Sequence, residues 1–257
     1  MANVLLRISE LEYSYSNGVS ALGGVSMDIR SGQVSSLVGP SGCGKSTLLA
    51  AICGLVRPDS GQVEWPSVSD GPDRQPSQHR VSLVFQKDTL LPWLSVRKNV
   101  AFGLRYTDLT KQQVIRRVDS LLDMVALAEF QDAYPKELSG GMRRRVALLM
   151  GVAPMPQLLL LDEPFTGLDE PTRLGVHREF SRLIQELNMT AMIVTHDLSE
   201  ALTLSDVVYV MSRRPTTVFT RYDIPFARKR DIFEVRETSD YQQTYARLWH
   251  DLCSQID

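Results

Sequence analysis

The chain has 257 residues, long enough to bury a full hydrophobic core, and its net charge of −2 offers no basic footprint for nucleic acid. No apolar run approaches the roughly 20 residues a membrane span requires, so the expectation is a chain that neither crosses a bilayer nor carries a signal peptide. Cys43, Cys53 and Cys253 are too few and too scattered for a disulfide framework or a metal site, which suits reduced cytosolic thiols.

Alternating apolar and polar residues over Val4–Leu11 and Val25–Arg30 predict half-buried antiparallel strands, with turns at Asn17-Gly18 and Gly23-Gly24. Gln33–Val38 then reads as a buried strand and Ser46–Ile52 as the opening of a helix. Between them, Gly39-Pro40-Ser41-Gly42-Cys43-Gly44-Lys45-Ser46-Thr47 fits G-x-x-x-x-G-K-S/T. Backbone N–H groups of such a loop wrap phosphate oxygens, Lys45 reaches the outer phosphates, and the Ser46 hydroxyl ligates magnesium. The strand–turn–helix context adds the positive end of a helix dipole, so a nucleoside triphosphate is the expected ligand. Cys43 sits where a thiolate is favoured, against the plainer reading of a small residue filling a tight loop.

Pro58-Asp59-Ser60-Gly61 reads as a turn before strand-like Gln62–Trp65, and Pro66–Gln78 as an exposed loop. Val81–Phe85 is a further buried strand. Gln86 follows it directly, where a neutral amide can touch both magnesium and an attacking water. Leu90-Leu91-Pro92-Trp93-Leu94 is apolar in a surface excursion, which suggests a partner-binding patch; burial of Trp93 against its own helical segment is the competing reading. Helical periodicity covers Lys111–Glu129, and a second helix starts near Ser139. Leu138-Ser139-Gly140-Gly141-Met142 joins a capping serine to two glycines, exposing helix N–H groups to an anion that a second copy of the chain could present.

Leu158–Leu161 is a continuous apolar strand ending in Asp162-Glu163-Pro164. Asp162 suits magnesium as a hard oxygen ligand, and Glu163, one residue on, faces the attacking water as a general base. Ala191–Val194 ends in Thr195-His196-Asp197. His196 is placed to donate to the γ-phosphate and orient the water or Glu163, with a satisfied structural histidine as the alternative. Asp197 and Glu200 look like a helix-capping pair. Near the end, Arg228-Lys229-Arg230 reads as a solvated turn, and Tyr241, Tyr245, Leu248, Leu252 and Ile256 form a stripe that packs on the domain. Continuous apolar strands alternating with helices give an α/β fold, a mostly parallel sheet interrupted by a helical insertion.

Taken in order, these motifs resemble the nucleotide-binding ATPase subunit of ATP-binding cassette (ABC) transporters, from about Tyr15 to Asp206. The resemblance implies a P-loop nucleoside triphosphatase core, an antiparallel β subdomain, and an α-helical insertion carrying the signature motif. It implies one domain over 1–257, with 1–89 and 155–257 as catalytic core and β subdomain and about 90–154 as the helical subdomain. Tyr15 becomes the aromatic platform for adenine, with Tyr13 its rival. Gly39, Pro40, Ser41, Gly42, Cys43, Gly44, Lys45, Ser46 and Thr47 bind ATP, and Ser46, Gln86 and Asp162 hold Mg2+. Glu163, His196, Gln86 and Lys45 become the catalytic set. Two copies arranged head to tail would close on ATP, the opposing copy contributing Ser139, Gly140, Gly141 and Asp169 of the loop Thr166–Asp169. Leu90, Leu91, Pro92 and Trp93 would meet transmembrane permease subunits, and through them a solute-binding protein, at the cytoplasmic side of the inner membrane.

Leu90–Trp93 with Ser95–Val100, and the tail Pro225–Asp231, are similar to importers of the nitrate, taurine and aliphatic sulfonate group. A soluble, non-transport ABC ATPase acting on ribosomes or DNA is the alternative, and no nucleic-acid partner is expected. Three departures stand out: Met142 replaces a glutamine; Arg143-Arg144-Arg145 is unusually dense in charge and reads mostly as solvated helix surface; Leu149-Met150-Gly151 replaces Ala-Arg-Ala, which implies loss of an interhelical arginine contact.

Overall fold

The first strands are two-faced because their side chains alternate. A computed structural model describes residues 3–66, 81–87, 89–225 and 232–255, without the side chains of 232 and 233. β1 (Val4–Ser14) and β2 (Ser20–Arg30) pair antiparallel, and Leu6, Ile8, Leu11, Val25 and Ile29 point into the core. Asn17-Gly18 lies in the turn between them. Gly23-Gly24 is not a turn: the pair sits inside β2, where the register slips between Leu11–Val25 and Glu12–Gly23, so an irregularity in the ladder absorbs the glycines. β3 (Val34–Val38) is buried throughout and leads through a loop into α1 (Lys45–Ile52). β4 (Ser60–Glu64) pairs with the other edge of β1, taking in the end of the expected Pro58–Gly61 turn. Apart from Pro66, the expected Pro66–Gln78 loop lies outside the described residues.

From Val81 to Met189 the described residues form a compact unit of their own. It begins with β5 (Val81–Val84), α2 (Val96–Phe102) and α3 (Lys111–Met124). Thr110 opens α3 with a reciprocal capping box: its hydroxyl accepts from Gln113 N, and the Gln113 side chain accepts from Thr110 N. The helix stops five residues short of the expected Glu129, because Ala126 takes a left-handed φ of 52° before a 3-10 turn at Ala128–Phe130. α4 (Gly140–Val152), β6 (Leu158–Asp162) and α5 (Glu170–Glu186) complete the unit. β6 runs parallel to β5, Val81 opposite Leu158 and Val84 opposite Leu161. Met150 can make no arginine contact, but a different arginine of α4, Arg145, pairs with Glu179 of α5 at 2.6 Å.

The chain then adds β7 (Ala191–Val194), α6 (Leu198–Leu204), β8 (Val207–Met211), β9 (Val218–Asp223), α7 (Ile232–Arg236) and α8 (Ser239–Cys253) to the first unit. β7 and β8 flank β3, both parallel to it, and β9 closes the edge antiparallel to β8. The expected α8 stripe packs as read: Tyr241, Leu248 and Leu252 are buried with Val38, Leu202, Val208 and Val210, and Tyr245 is partly covered. Full burial of one such aliphatic side chain contributes about 1.5–3 kcal/mol. Arg228-Lys229-Arg230, residues 226–231 of the tail motif, and Ile256 lie outside the described residues. The architecture is the expected one: α/β with mostly parallel strands, an antiparallel sheet, and helices that carry Ser139-Gly140-Gly141.

Candidate nucleotide-binding site

Parallel strands put their C-terminal ends at one sheet edge, and that is where ligands bind in such sheets. In the first unit Leu37 of β3 lies opposite Val194 of β7, so Gly39 and His196 leave the sheet at the same edge. The loop from Gly39 to Gly44 is packed from behind. Gly44 has φ 132°, and a Cβ there would stand 2.8 Å from the Ala21 carbonyl oxygen, so only glycine fits. α1 then starts at Lys45 with no side-chain cap, and its first turn contains no acidic residue to compete with an anion. The Lys45 ammonium is held over the loop by the carbonyls of Gly39 at 2.8 Å and Pro40 at 2.9 Å. Cys43 is buried, its sulfur 3.7 Å from that ammonium, which suits a small residue filling the loop. Ser46 is exposed at the start of the helix.

Tyr15 is the more exposed of the two candidate aromatics. Its ring meets Tyr13 edge-on at 5.2 Å, and its hydroxyl lies 2.6 Å from that of Thr47, so it belongs to the loop's own hydrogen-bond network. His196 is exposed just beyond β7. Asp197 caps α6 as expected, accepting from Ser199 N and Glu200 N. The capping pair is not closed in the expected way, because the buried Glu200 carboxylate accepts from the Thr195 hydroxyl at 2.6 Å.

The second unit brings its own candidates together. Gln86 follows β5 and Glu163 follows β6, neighbouring parallel strands, and Gln86 Nε2 donates to Glu163 Oε2 at 3.0 Å. The Thr166 hydroxyl donates to the same carboxylate oxygen at 3.2 Å. Glu163 holds a left-handed φ of 45°, uncommon and costly for a residue with a side chain. Asp162 is half-buried at the end of β6. Ser139 caps α4 by accepting from Met142 N at 3.3 Å. Gly141 is required by close packing, since a Cβ there would meet the Thr172 side chain at 2.6 Å. Asp169 caps α5; the Thr172 amide and hydroxyl donate to it and hold its carboxyl below the usual range.

Trp93 is 70% exposed, so the reading that buries it against its own helices is set aside. Pro92 is exposed beside it, while Leu90 and Leu91 are half-covered. Leu94 opens a groove of about 560 Å³ lined also by Phe102, Leu104 and Ile115 and rimmed by Lys98 and Arg105.

Arg143-Arg144-Arg145 is not the solvated surface expected. Arg144 is 3% exposed: Nη1 donates to the carbonyls of Phe85 at 3.0 Å and Gln86 at 3.3 Å, and Nη2 to that of Glu163 at 3.1 Å. Arg143 donates to the Leu138 carbonyl at 2.8 Å. The signal was present in the spacing, because Gly141, Arg144, Leu148 and Val152 lie on one helical stripe and all are buried. Sequence reasoning also missed Arg214, whose guanidinium donates to the Gly42 carbonyl of the phosphate loop; no local pattern marks a contact so distant in sequence.

Among the described residues no group of three or more His, Cys, Asp and Glu is arranged to hold a metal. Magnesium beside phosphates needs no such cluster, since one carboxylate or hydroxyl with phosphate oxygens and water suffices, and Asp162 and Ser46 are oxygen donors of that kind.

A glycine-rich turn between a buried strand and an uncapped helix, on a mostly parallel sheet, defines a P-loop nucleotide-binding protein. The family profile described as "ABC transporter" matches residues 22–166, more than half of the chain. The uncharacterized ABC transporter ATP-binding protein YtlC of Bacillus subtilis (strain 168) is 36% identical over 248 residues, 96% of this chain and 94% of that one. The taurine import ATP-binding protein TauB of Jannaschia sp. (strain CCS1) is 37% identical over 95% of this chain and 91% of its own. Among solved structures, cbiO1 from Clostridium perfringens, part of the ABC transporter complex cbiONQ, superposes with a TM-score of 0.77 at 27% identity, covering 99% of this chain and all of that one. The chain belongs to the ABC transporter family and carries its ATP-binding cassette. Among the described residues no helix is long and apolar enough to cross a membrane.

Proposed function

We propose that the protein hydrolyses ATP to energise a membrane transporter, as a peripheral subunit at the cytoplasmic side of the inner membrane. The observation that carries the catalytic part is the bond from Gln86 to Glu163, which aims the Glu163 carboxylate from beyond the sheet edge. In this reading water attacks the γ-phosphate in line, Glu163 aligns or deprotonates it, and Lys45 stabilises the developing charge. His196 donates to the γ-phosphate and Gln86 orients the water. Magnesium, when bound, neutralises phosphate charge, and we assign its ligands to Ser46, Gln86 and Asp162. Tyr15 stacks on adenine, residues 39–47 bind the phosphates, and a second copy, head to tail, supplies Ser139, Gly140, Gly141 and Asp169. Residues 1–89 and 155–257 form the catalytic core and β subdomain, and about 90–154 the helical subdomain.

The exposed Trp93 beside an apolar, basic-rimmed groove supports a docking surface for permease subunits at Leu90, Leu91, Pro92 and Trp93. The likeness to a taurine importer ATPase supports import of a small anionic solute, of the nitrate, sulfonate or taurine kind. The test is purification of the tagged chain from its native membrane with measurement of magnesium-dependent phosphate release. Recovery of hydrophobic subunits with ATPase activity is the expected result. Recovery of ribosomes or DNA instead would favour a soluble, non-transport ABC ATPase.

A further inference from the structure

We propose that Arg144 is a positioning residue for hydrolysis: from the helix that begins with the glycines 140 and 141, it holds the main chain beneath both Gln86 and Glu163. The proposal rests on the catalytic reading of Glu163 given above. Its basis is geometric. One guanidinium, almost wholly buried, serves the carbonyls of Phe85, Gln86 and Glu163, and the side chains of the last two meet each other at 3.0 Å.

Two separate loops, one after β5 and one after β6, are thereby tied to a single rigid group. A planar guanidinium suits this task because its two Nη atoms point to different acceptors in a fixed fork. The bonds are charge-assisted and lie away from water, where such bonds are stronger than at the surface. The tie also reaches a residue with a side chain held in the left-handed region. Glu163 keeps its left-handed φ of 45° only while neighbouring groups over-determine it, and its carbonyl is held by Arg144 Nη2 on one side and by Thr166 N on the other. Loosening the carbonyl lets the backbone relax toward an ordinary conformation and swings the carboxylate away from Gln86. Because Arg144 belongs to α4, any displacement of that helix is transmitted directly to the carboxylate that faces water.

Arg144→Lys tests this in the purified full-length chain, since lysine keeps the charge and stem but offers a single nitrogen that cannot span acceptors served from two. We expect kcat for ATP to fall about tenfold or more while KM changes by less than about threefold, the pattern of a misplaced catalytic group. Affinity for a fluorescent ATP analogue and the melting temperature stay close to wild type. Backbone amides of 85–87 and 163–166 exchange hydrogen faster, without a general rise across α4. In a Gln86→Ala background the lysine change costs little more, because the two residues act on one geometry. Arg144→Gln, which is neutral and reaches one acceptor, loses more than Arg144→Lys. Wild-type kcat in Arg144→Lys, unchanged exchange at both segments, or full multiplication of the two losses would each overturn the proposal. Glu163→Gln is run beside them to separate the readings. If it abolishes hydrolysis while Arg144→Lys does not slow it, the role of Arg144 falls and that of Glu163 stands; a wild-type chain that releases no phosphate removes both.

Discussion

Gln86 and Glu163 are 77 positions apart in the chain, yet the amide of one donates to the carboxylate of the other at 3.0 Å. The strands before them make this possible: β5 and β6 are parallel neighbours in register, so the residues just past their ends emerge side by side. Glu163→Gln keeps the shape of the side chain and removes its charge. Hydrolysis is expected to fall by about a hundredfold or more while ATP affinity is retained, with an ATP-stabilised dimer visible by size-exclusion chromatography. Near-normal turnover in this variant would remove Glu163 from the mechanism. His196→Ala is expected to slow turnover with little change in nucleotide affinity.

Gly44→Ala tests the phosphate loop itself. The new methyl group would press on the Ala21 carbonyl at 2.8 Å and force a φ of 132° on a residue with a side chain. A destabilisation of about 1–3 kcal/mol is expected, the usual scale for such backbone strain, together with loss of ATP binding. Thermal melting and fluorescent-nucleotide titration measure the two effects separately.

Tyr222 of β9 anchors α8 by donating to Asp251 at 2.6 Å. Burial, then the bond to Asp251 and its negative charge, push the phenol up to about 12. The fold thus favours the neutral phenol, so this anchor contributes fully below the ordinary tyrosine value near 10 and is lost as pH rises from there through about 12. The difference spectrum between wild type and Tyr222→Phe isolates this phenol among the eight tyrosines and should show a midpoint well above 10. Asp251→Asn should move that midpoint down.

Trp93→Ala separates hydrolysis from docking. The side chain is 70% exposed, so its loss should leave the melting temperature and the ATPase rate of the isolated chain unchanged. Recovery of hydrophobic subunits with the variant should drop sharply. Equal recovery with wild type and variant would remove Trp93 from the docking surface.

Much of this was legible because local rules and tertiary structure agree. The phosphate loop, the strand Leu158–Leu161 with its terminal carboxylates, and Ser139 as a helix cap each follow from short-range chemistry. Gly23-Gly24 failed as a turn because a dipeptide does not reveal whether a strand continues past it; the ladder with β1 decides that. Arg144 failed for another reason. Composition makes three successive arginines look solvated, whereas the position of the middle one on the buried stripe of α4 is set by spacing, and its acceptors are carbonyls with no sequence signature. Whether Asp197 and Glu200 would close on each other turned on Thr195, a competitor for the carboxylate that a capping pattern does not include.

The neighbours of β3 have a consequence for biosynthesis. This strand is complete at residue 38, yet its partners on both sides, β7 and β8, begin only at residues 191 and 207. A ribosome must therefore release most of the polypeptide before either edge of the strand that leads into the phosphate loop can be covered. Until then a ribbon that the finished fold buries at every position stays open to wrong pairing, at a loop-closure cost set by more than 150 intervening residues. The nascent chain should accordingly gain its nucleotide affinity late and abruptly, and stalled or truncated products ending before β8 should be prime clients for chaperones and proteases.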